Sequence, residues 1–535
     1  LVTGKLLAPV DADKVGSTMR GLVKRVGEPV VRTAVAQAMK ELGSQFVLGR
    51  TMHEATRRAK KLSGQGYTHS YDMLGEAART AEDATRYFDS YSQAIADLAP
   101  HCTDVDIRNN PGISVKLSAL HPRYEWGQRE RVLQELVPQV LALALQAKAA
   151  NMGFNIDAEE ADRLDISLDV IAAVLASSEL EGWQGFGVVV QAFSKRAPWV
   201  LDWLYALAKG LDRQIMVRLV KGAYWDTEIK IAQEQGFNDY PVFTKKFATD
   251  ISYLACAHKL LENENVFSQF ATHNAYSIAY IKTLFENKEF EFQKLHGMGD
   301  EIYSYLEQDE KFRCRVYAPV GGYKDLLPYL VRRLLENGAN TSFIHQLKSK
   351  DLDINKLIQS PLDKIKKLDY DKIPKPLQIY TDRINSKGLD LSEENTIEKL
   401  NSTIFKKQIS AFSIIDGKDL KSDNINDIIS PQTGKIIGQK FFADIKIVDG
   451  AINSLKEYSN KWRKYPIESK IEIFENFAKL IEENTNEIIK IGAKESGKSI
   501  KNSIAEIREA VDFCRYYSKE ASNIFKEKIL QGPTG

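Results

Sequence analysis

The sequence predicts an α/β fold centred on a (βα)8 barrel, with a helical arm before it and a second α/β segment after it. Three observations predict this. Short apolar segments alternate with amphipathic helical stretches from about residue 111 onward, and repeated strand–helix units imply a parallel sheet. No Gly-x-Gly-x-x-Gly fingerprint occurs between a strand and a helix, which favours a closed barrel over a doubly wound sheet. Polar and charged residues stand at the C-terminal ends of successive strands, where the βα loops of a barrel build a site.

Residues 1–110 read as a helical arm, because Val30, Ala34, Ala38 and Leu42, and again Tyr87, Tyr91 and Ile95, recur at helical spacing. The barrel is expected over 111–350. Its strand candidates are Ile113–Leu117, Phe154–Asp157, Gly187–Gln191, Ile215–Val220, Ser268–Thr272, Glu291–Leu295 and Arg315–Ala318, with an eighth near Thr341–Ile344. Helical stretches such as Glu130–Ala147 and Pro198–Lys209 separate them. A linker is expected over 351–373, ahead of the Pro-Lys-Pro run at 374–376. In 374–535, Ile428-Ser-Pro-Gln-Thr-Gly-Lys-Ile-Ile437 predicts a hairpin. One helix follows with Ile467, Ile471, Phe474, Ala478 and Ile481 on a stripe, and another from about Ile504 to Phe525.

A chain of 535 residues exceeds one ordinary domain. Lys+Arg 73 against Asp+Glu 72 leaves a formal charge of +1, which argues against a dominant nucleic-acid surface. Cys102, Cys256, Cys314 and Cys514 form no C-x-x-C pair, suggesting a reducing compartment and no zinc site. No apolar run is long enough to span a bilayer and no signal peptide is apparent. Leu1 at the start and Gly532-Pro-Thr-Gly535 at the end suggest a piece cut from a longer chain, and the drift from Ala, Leu and Arg toward Lys, Ile and Asn suggests parts of unlike origin.

The segment Ile215-Met-Val-Arg-Leu-Val-Lys-Gly-Ala-Tyr-Trp225 carries the strongest functional signal. A buried strand should be continuously apolar, so Arg218 within it and Lys221 just beyond it call for an anion or an electron-rich ligand. Equivalent positions elsewhere hold Lys116, Asp157 with Glu159, Gln191, His273 with Asn274, His296 and Tyr317. Tyr329-Leu-Val-Arg-Arg-Leu-Leu-Glu336 is helical in pattern, so Arg332 and Arg333 point about 100° apart. A guanidinium suits a carboxylate because its planar fork donates two parallel hydrogen bonds. No nucleophile motif and no metal-ligand spacing is present. Cations, tyrosines, a glutamine and an aspartate together suit a small carboxylic acid and an electron-accepting cofactor.

Ordered motifs along residues 1 to about 350 carry a family resemblance. They are Tyr71-Asp-Met-Leu-Gly-Glu-Ala77, Ser114-Val-Lys-Leu-Ser-Ala-Leu-His-Pro-Arg-Tyr124, Asn155-Ile-Asp-Ala-Glu-Glu-Ala-Asp162, Arg218–Trp225, Ala271-Thr-His-Asn-Ala275, Leu295-His-Gly-Met-Gly299 and Tyr329–Ser342. This part resembles the proline dehydrogenase portion of the bacterial proline utilization A family. The resemblance implies a distorted TIM-like (βα)8 barrel that holds FAD and oxidises L-proline to pyrroline-5-carboxylate. Hydride would leave proline C5 for flavin N5, and the electrons would pass to a membrane quinone.

By position, the resemblance places Lys116, Arg332 and Arg333 on the proline carboxylate, Tyr224, Tyr317 and Tyr329 around the ring, and Asp157 beside them. Arg218 would face flavin N5, with Gln191, Lys221, Gly222, Trp225, Thr272, His273, Asn274 and Glu336 lining the cofactor. A cytoplasmic protein is implied, peripheral on the inner membrane; the ribbon–helix–helix DNA-binding segment found at the start of some family members is not visible here, so no nucleic-acid partner is expected, and a homo-oligomer is compatible with the reading. Residues 374–535 resemble the beginning of an aldehyde dehydrogenase domain through Asn385-Ser-Lys-Gly-Leu-Asp-Leu391, Pro431-Gln-Thr-Gly434, Glu495-Ser-Gly-Lys498 and Glu506-Ile-Arg-Glu-Ala-Val-Asp-Phe513. The NAD site and nucleophilic cysteine of such a domain are absent from this stretch, so only the first activity is expected.

Gly492-Ala-Lys-Glu-Ser-Gly-Lys-Ser499 formally fits a phosphate loop, which needs a strand before it. The preceding Glu482–Lys490 reads as helix, so nucleotide hydrolysis is disfavoured. A non-catalytic remnant is the other rival, and it is disfavoured for the barrel by the full set of site residues.

Overall fold

A tight parallel array is possible here because the strand segments are short and apolar on the side facing the helices. The computed structural model describes residues 43, 45–63, 66–309, 312–322, 329–333, 359–365, 373–402, 409–526 and 532–533. The chain divides into two units, Leu1–Ile229 with Pro241–Asp371, and Lys230–Tyr240 with Lys372–Gly535.

The first unit contains a closed barrel of eight strands in sequential order. They are β1 (Tyr67–Met73), β2 (Gly112–Val115), β3 (Gly153–Ile156), β4 (Phe186–Gln191), β5 (Ile215–Val220), β6 (Val266–Ala271), β7 (Phe290–Leu295) and β8 (Cys314–Val320). All neighbours are parallel, and β1 closes on β8 through pairs running from Tyr67↔Cys314 to Met73↔Val320.

The strands expected from β2 to β8 lie where the sequence placed them, within two residues at each end. The first strand does not. β1 falls inside the stretch read as a helical arm, so the barrel starts at Tyr67 and not near residue 111. The strand expected near 341–344 lies outside the described residues; the barrel closes without it.

The flanking helices are α1 (Met52–Ser63), α2 (Ala81–Leu98), α3 (Leu117–Leu120), α4 (Arg129–Ala149), α5 (Leu164–Leu175), α6 (Ala197–Gly210), α7 (Trp225–Gln235), α8 (Lys246–Leu261), α9 (Ala275–Leu284) and α10 (Asp300–Leu306). Their apolar stripes make the core. In α4, Val132, Leu136, Val140, Leu143, Ala144 and Ala147 are all buried, one turn apart. α2 starts on a capping box in which Thr80 and Asp83 each accept the other's backbone N–H. Between strands the packing is close at Gly187, where any Cβ would collide with the Asn155 side chain.

The second unit is sparser. Its strands β9 (Ile409–Ala411), β12 (Ile425–Ile429) and β13 (Ile436–Phe441) form one sheet, and β10 (Ser413–Ile415) pairs with β11 (Lys418–Leu420). β12 and β13 are the hairpin expected around Pro431, with Gly434 in the left-handed region at φ 68°. Four helices follow, at Ile445–Lys464, Ile467–Glu483, Thr485–Ser496 and Ile500–Ile524. The expected stripe on Ile467–Glu483 is only partly covered: Ala478 is buried, Phe474 exposed.

The phosphate-loop pattern dissolves at this point. Helix precedes it, Gly497 is that helix's left-handed C-cap, Lys498 pairs with Glu506, and Ser499 caps the next helix.

Candidate active site

The barrel brings four of the predicted residues into one hydrogen-bonded group. Lys116 follows β2 directly, Asp157 follows β3, Arg218 is inside β5, and Tyr317 is inside β8. Asp157 is the junction: its Oδ2 accepts from Tyr317 at 2.7 Å and from Lys116 Nζ at 3.2 Å, while its Oδ1 accepts from Arg218 Nη1 at 3.0 Å. Lys116 Nζ also donates to Asp72 at 2.8 Å and lies 3.3 Å from the Tyr317 hydroxyl. The alternation Asp72, Lys116, Asp157, Arg218 leaves each of these buried charges beside an opposite one, which is the condition for burying charge at all.

This arrangement fixes protonation. Burial alone would depress the Lys116 ammonium, but Asp72, Tyr317 and Asp157 raise it well above the ordinary lysine range, so it stays charged. Burial and the Asp157 carboxylate push the Tyr317 phenol well up, keeping it a neutral donor. The Lys116 backbone N–H is held by the Tyr91 hydroxyl of α2 at 3.2 Å.

Arg332 and Arg333 form a second group with tyrosines. Burial opposes the charge on Arg332, yet hydrogen bonds from Nη1 and Nη2 to Glu76, at 2.7 and 2.9 Å, raise its pKa. Burial would lift Glu76, and the Arg332 fork instead holds it below the usual carboxylate range. The Arg332 guanidinium lies 5.2 Å from the Tyr224 ring centre, and that of Arg333 lies 5.2 Å from Tyr329. Tyr224, Tyr329 and Arg333 are buried.

The predicted cofactor-lining residues have mostly local bonds. Gln191 Nε2 donates to the Glu159 carbonyl at 2.8 Å, and its Oε1 accepts from Ala223 N at 3.2 Å, tying the loops after β3, β4 and β5. Lys221 pairs with Asp250. Gly222 sits at φ 137°, and a Cβ there would run into the Phe193 ring, so only glycine is unstrained. Trp225 Nε1 donates to Phe243 O at 2.9 Å. Thr272 Oγ1 accepts from Asn274 N at 3.2 Å, Asn274 caps α9 through Ser277 N at 3.0 Å, and His273 Nε2 accepts from Leu295 N at 3.1 Å. His296 follows β7; burial, then Arg58, lowers its pKa to about 4, so the ring is neutral. Glu336 lies outside the described residues.

Sequence reasoning missed Ser70, Asp72, Glu76, Tyr91, Ser114 and Asp250. The first three belong to β1 and the turn after it, and the motif Tyr71–Ala77 was the available signal for Asp72 and Glu76. Glu159 acquires a defined setting. It is buried against Ser118, whose N–H donates at 3.0 Å and whose hydroxyl donates as well, and Arg163 lies at 3.3 Å. Burial lifts its carboxyl to about 7, partly offset by Arg163 and Ser118.

With this geometry in place, comparison with known proteins decides the family. The family model described as proline dehydrogenase matches residues 55–346. The chain belongs to the proline dehydrogenase family. A model described as aldehyde dehydrogenase family matches 419–534, and one described as the DNA-binding domain of proline dehydrogenase matches 1–46. That last match corrects the reading that no DNA-binding segment is visible, and with it goes the main ground for expecting no nucleic-acid partner.

Bifunctional protein PutA of Salmonella typhimurium is 41% identical over 98% of this chain and 42% of that protein. Proline dehydrogenase 1 of Bacillus subtilis is 27% identical over 56% of this chain and 88% of that protein. A crystal structure of Bradyrhizobium japonicum proline utilization A is 43% identical with TM-score 0.82, covering 96% of this chain and 50% of that one. The chain therefore spans less than half the length of its PutA relative. Within the proline dehydrogenase family, the match 55–346 contains every candidate site residue and all eight barrel strands.

Proposed function

We propose that the barrel catalyses FAD-dependent oxidation of L-proline to pyrroline-5-carboxylate, with electrons passed on to a quinone. The observation that carries the reading is the hydrogen-bonded convergence of Lys116 and Asp157, just past β2 and β3, with Arg218 of β5 and Tyr317 of β8, in a chain of the proline dehydrogenase family.

The donor set fits a flavin. Arg218 is a buried cation whose Nε has no partner, and Gln191, Lys221, Gly222 and Trp225 follow on adjacent strand ends. Thr272, His273, Asn274 and Glu336 are assigned to the same cofactor by resemblance. Bound FAD would supply the two-electron acceptor for the substrate C–H bond.

The chain's own groups do the rest. Arg332 and Arg333, assisted by Lys116, would hold the substrate carboxylate; the paired hydrogen bonds of the Arg332 fork to the Glu76 carboxylate support this reading. Tyr224, Tyr317 and Tyr329 would enclose the ring and exclude water. Fixing the carboxylate orients the reacting carbon, an effect that can lower a barrier by several kcal/mol. Arg218 offers a positive charge where negative charge develops on reduction.

A charge balance near zero and the lack, among the described residues, of any helix long and apolar enough to cross a membrane are compatible with peripheral delivery of electrons to a membrane quinone. The aldehyde dehydrogenase family match over 419–534 supports reading residues 374–535 as part of such a domain, which would be NAD-dependent in the whole protein.

The test is steady-state oxidation of proline with an artificial electron acceptor. Arg333→Ala is expected to raise KM for proline at least tenfold, as loss of a charge-assisted bond implies. An unchanged KM would remove the carboxylate clamp from the reading.

A further inference from the structure

Arg218 is 3% exposed, and Asp157 alone cannot orient it. A carboxylate fixes a guanidinium best through two parallel bonds. Asp157 offers Arg218 only Oδ1, at 3.0 Å, because Oδ2 is taken by Tyr317 and Lys116. One hydrogen bond leaves the planar group free to swing about it.

The second anchor comes from two serines. Arg218 Nη2 donates to Ser70 Oγ at 3.2 Å and to Ser114 Oγ at 3.1 Å, and the two oxygens lie 3.0 Å apart. One hydroxyl therefore donates to the other while both accept from Arg218. Ser70 and Ser114 are fully buried, both 0% exposed, in the neighbouring strands β1 and β2. Barrel interiors are ordinarily filled by bulky branched side chains. Two hydroxyls there are tolerated because the guanidinium satisfies them, and their small size leaves it room.

The geometry points to Ser70 and Ser114 as positioning residues for Arg218, fixing the plane in which its charge is presented to the redox centre. This rests on the flavin-dependent reading above. With Nη1 held by Asp157 and Nη2 by the serine pair, rotation of the guanidinium is blocked at both ends. Removing the hydroxyls leaves buried N–H donors unpaired, and the group must turn to find other acceptors.

The experiment uses the full chain with Ser70→Ala, Ser114→Ala and the double substitution, and measures kcat, KM for proline, thermal midpoint and the midpoint potential of the bound flavin. The double variant is expected to lose about tenfold in kcat, with KM changed less than about twofold. Its flavin should be harder to reduce, since a displaced cation stabilises the reduced form less. Each single variant should show a smaller change of the same sign, and these decide the matter if the double variant does not fold.

An unchanged potential, with or without a fall in thermal midpoint, would make the serines merely structural and overturn the inference. A wild type that holds flavin but ignores proline would sink the proposed substrate while leaving the potential shift as the test of the serines. A wild type that takes up no flavin would overturn both.

Discussion

Among the described residues, Glu159 has a carboxyl whose ionisation falls near neutral pH. Its carboxyl is buried and lifted to about 7, so near neutrality the folded chain binds a proton that the unfolded chain has released. Stability from this group is complete below the ordinary glutamate pKa and is lost as pH rises through about 7. Glu159→Gln, which cannot ionise, should gain stability over wild type between pH 5 and 8, by on the order of 3 kcal/mol at full ionisation. Urea unfolding at both pH values measures it; a difference independent of pH would mean Glu159 titrates normally. The same side chain holds Ser118, two residues beyond Lys116, so the effect should extend to proline KM at alkaline pH. Residues of this kind were partly legible. Lys116, Asp157, Arg218 and Tyr317 stood out because a charge or phenol in or just past an apolar strand breaks its pattern. Ser70, Ser114 and Tyr91 carry no such signal: a serine in a strand is ordinary until the guanidinium it accepts from is seen.

Strand β1 shows what hides an element from sequence. Tyr67, His69 and Tyr71 alternate with Ser70 and Asp72. The tyrosines pack into the core between barrel and helices, while Ser70 and Asp72 bond to Arg218 and Lys116 inside. The alternation is of strand period but with its polar side inward, so it resembles neither an apolar core strand nor a helix stripe. By contrast β5 was read to the residue, because Ile215–Val220 is apolar apart from one arginine. β1 should be energetically necessary through Asp72, which is 1% exposed and opposite Lys116. Breaking a buried pair from one side costs about 3–5 kcal/mol. Asp72→Asn, which keeps some hydrogen bonding, should cost about 2 kcal/mol or more by denaturant unfolding. A neutral substitution would show that Lys116 is held by Asp157 and Tyr317 alone.

At the scale of the whole molecule, the two units differ in how much apolar surface they bury. The barrel unit holds one large core cluster running from Leu48 to Val320. In the second unit the helix Ile445–Lys464 has no buried residue, and Ile445, Val448, Ile452 and Leu455 are exposed. Amide exchange should therefore be fast over residues 445–464 and slow in β2 to β6, where Val115, Phe154, Val217 and Phe270 are fully buried. Equal protection in both would contradict the burial seen here. The barrel alone carries the proposed chemistry, and one measurement tests it most directly. Purified protein loaded with FAD is mixed anaerobically with L-proline while its visible absorbance is followed. The account predicts rapid bleaching by sub-saturating proline in the wild type and bleaching slower by about tenfold or more at the same concentration in Arg333→Ala. A protein that binds FAD and keeps its colour in proline would contradict it.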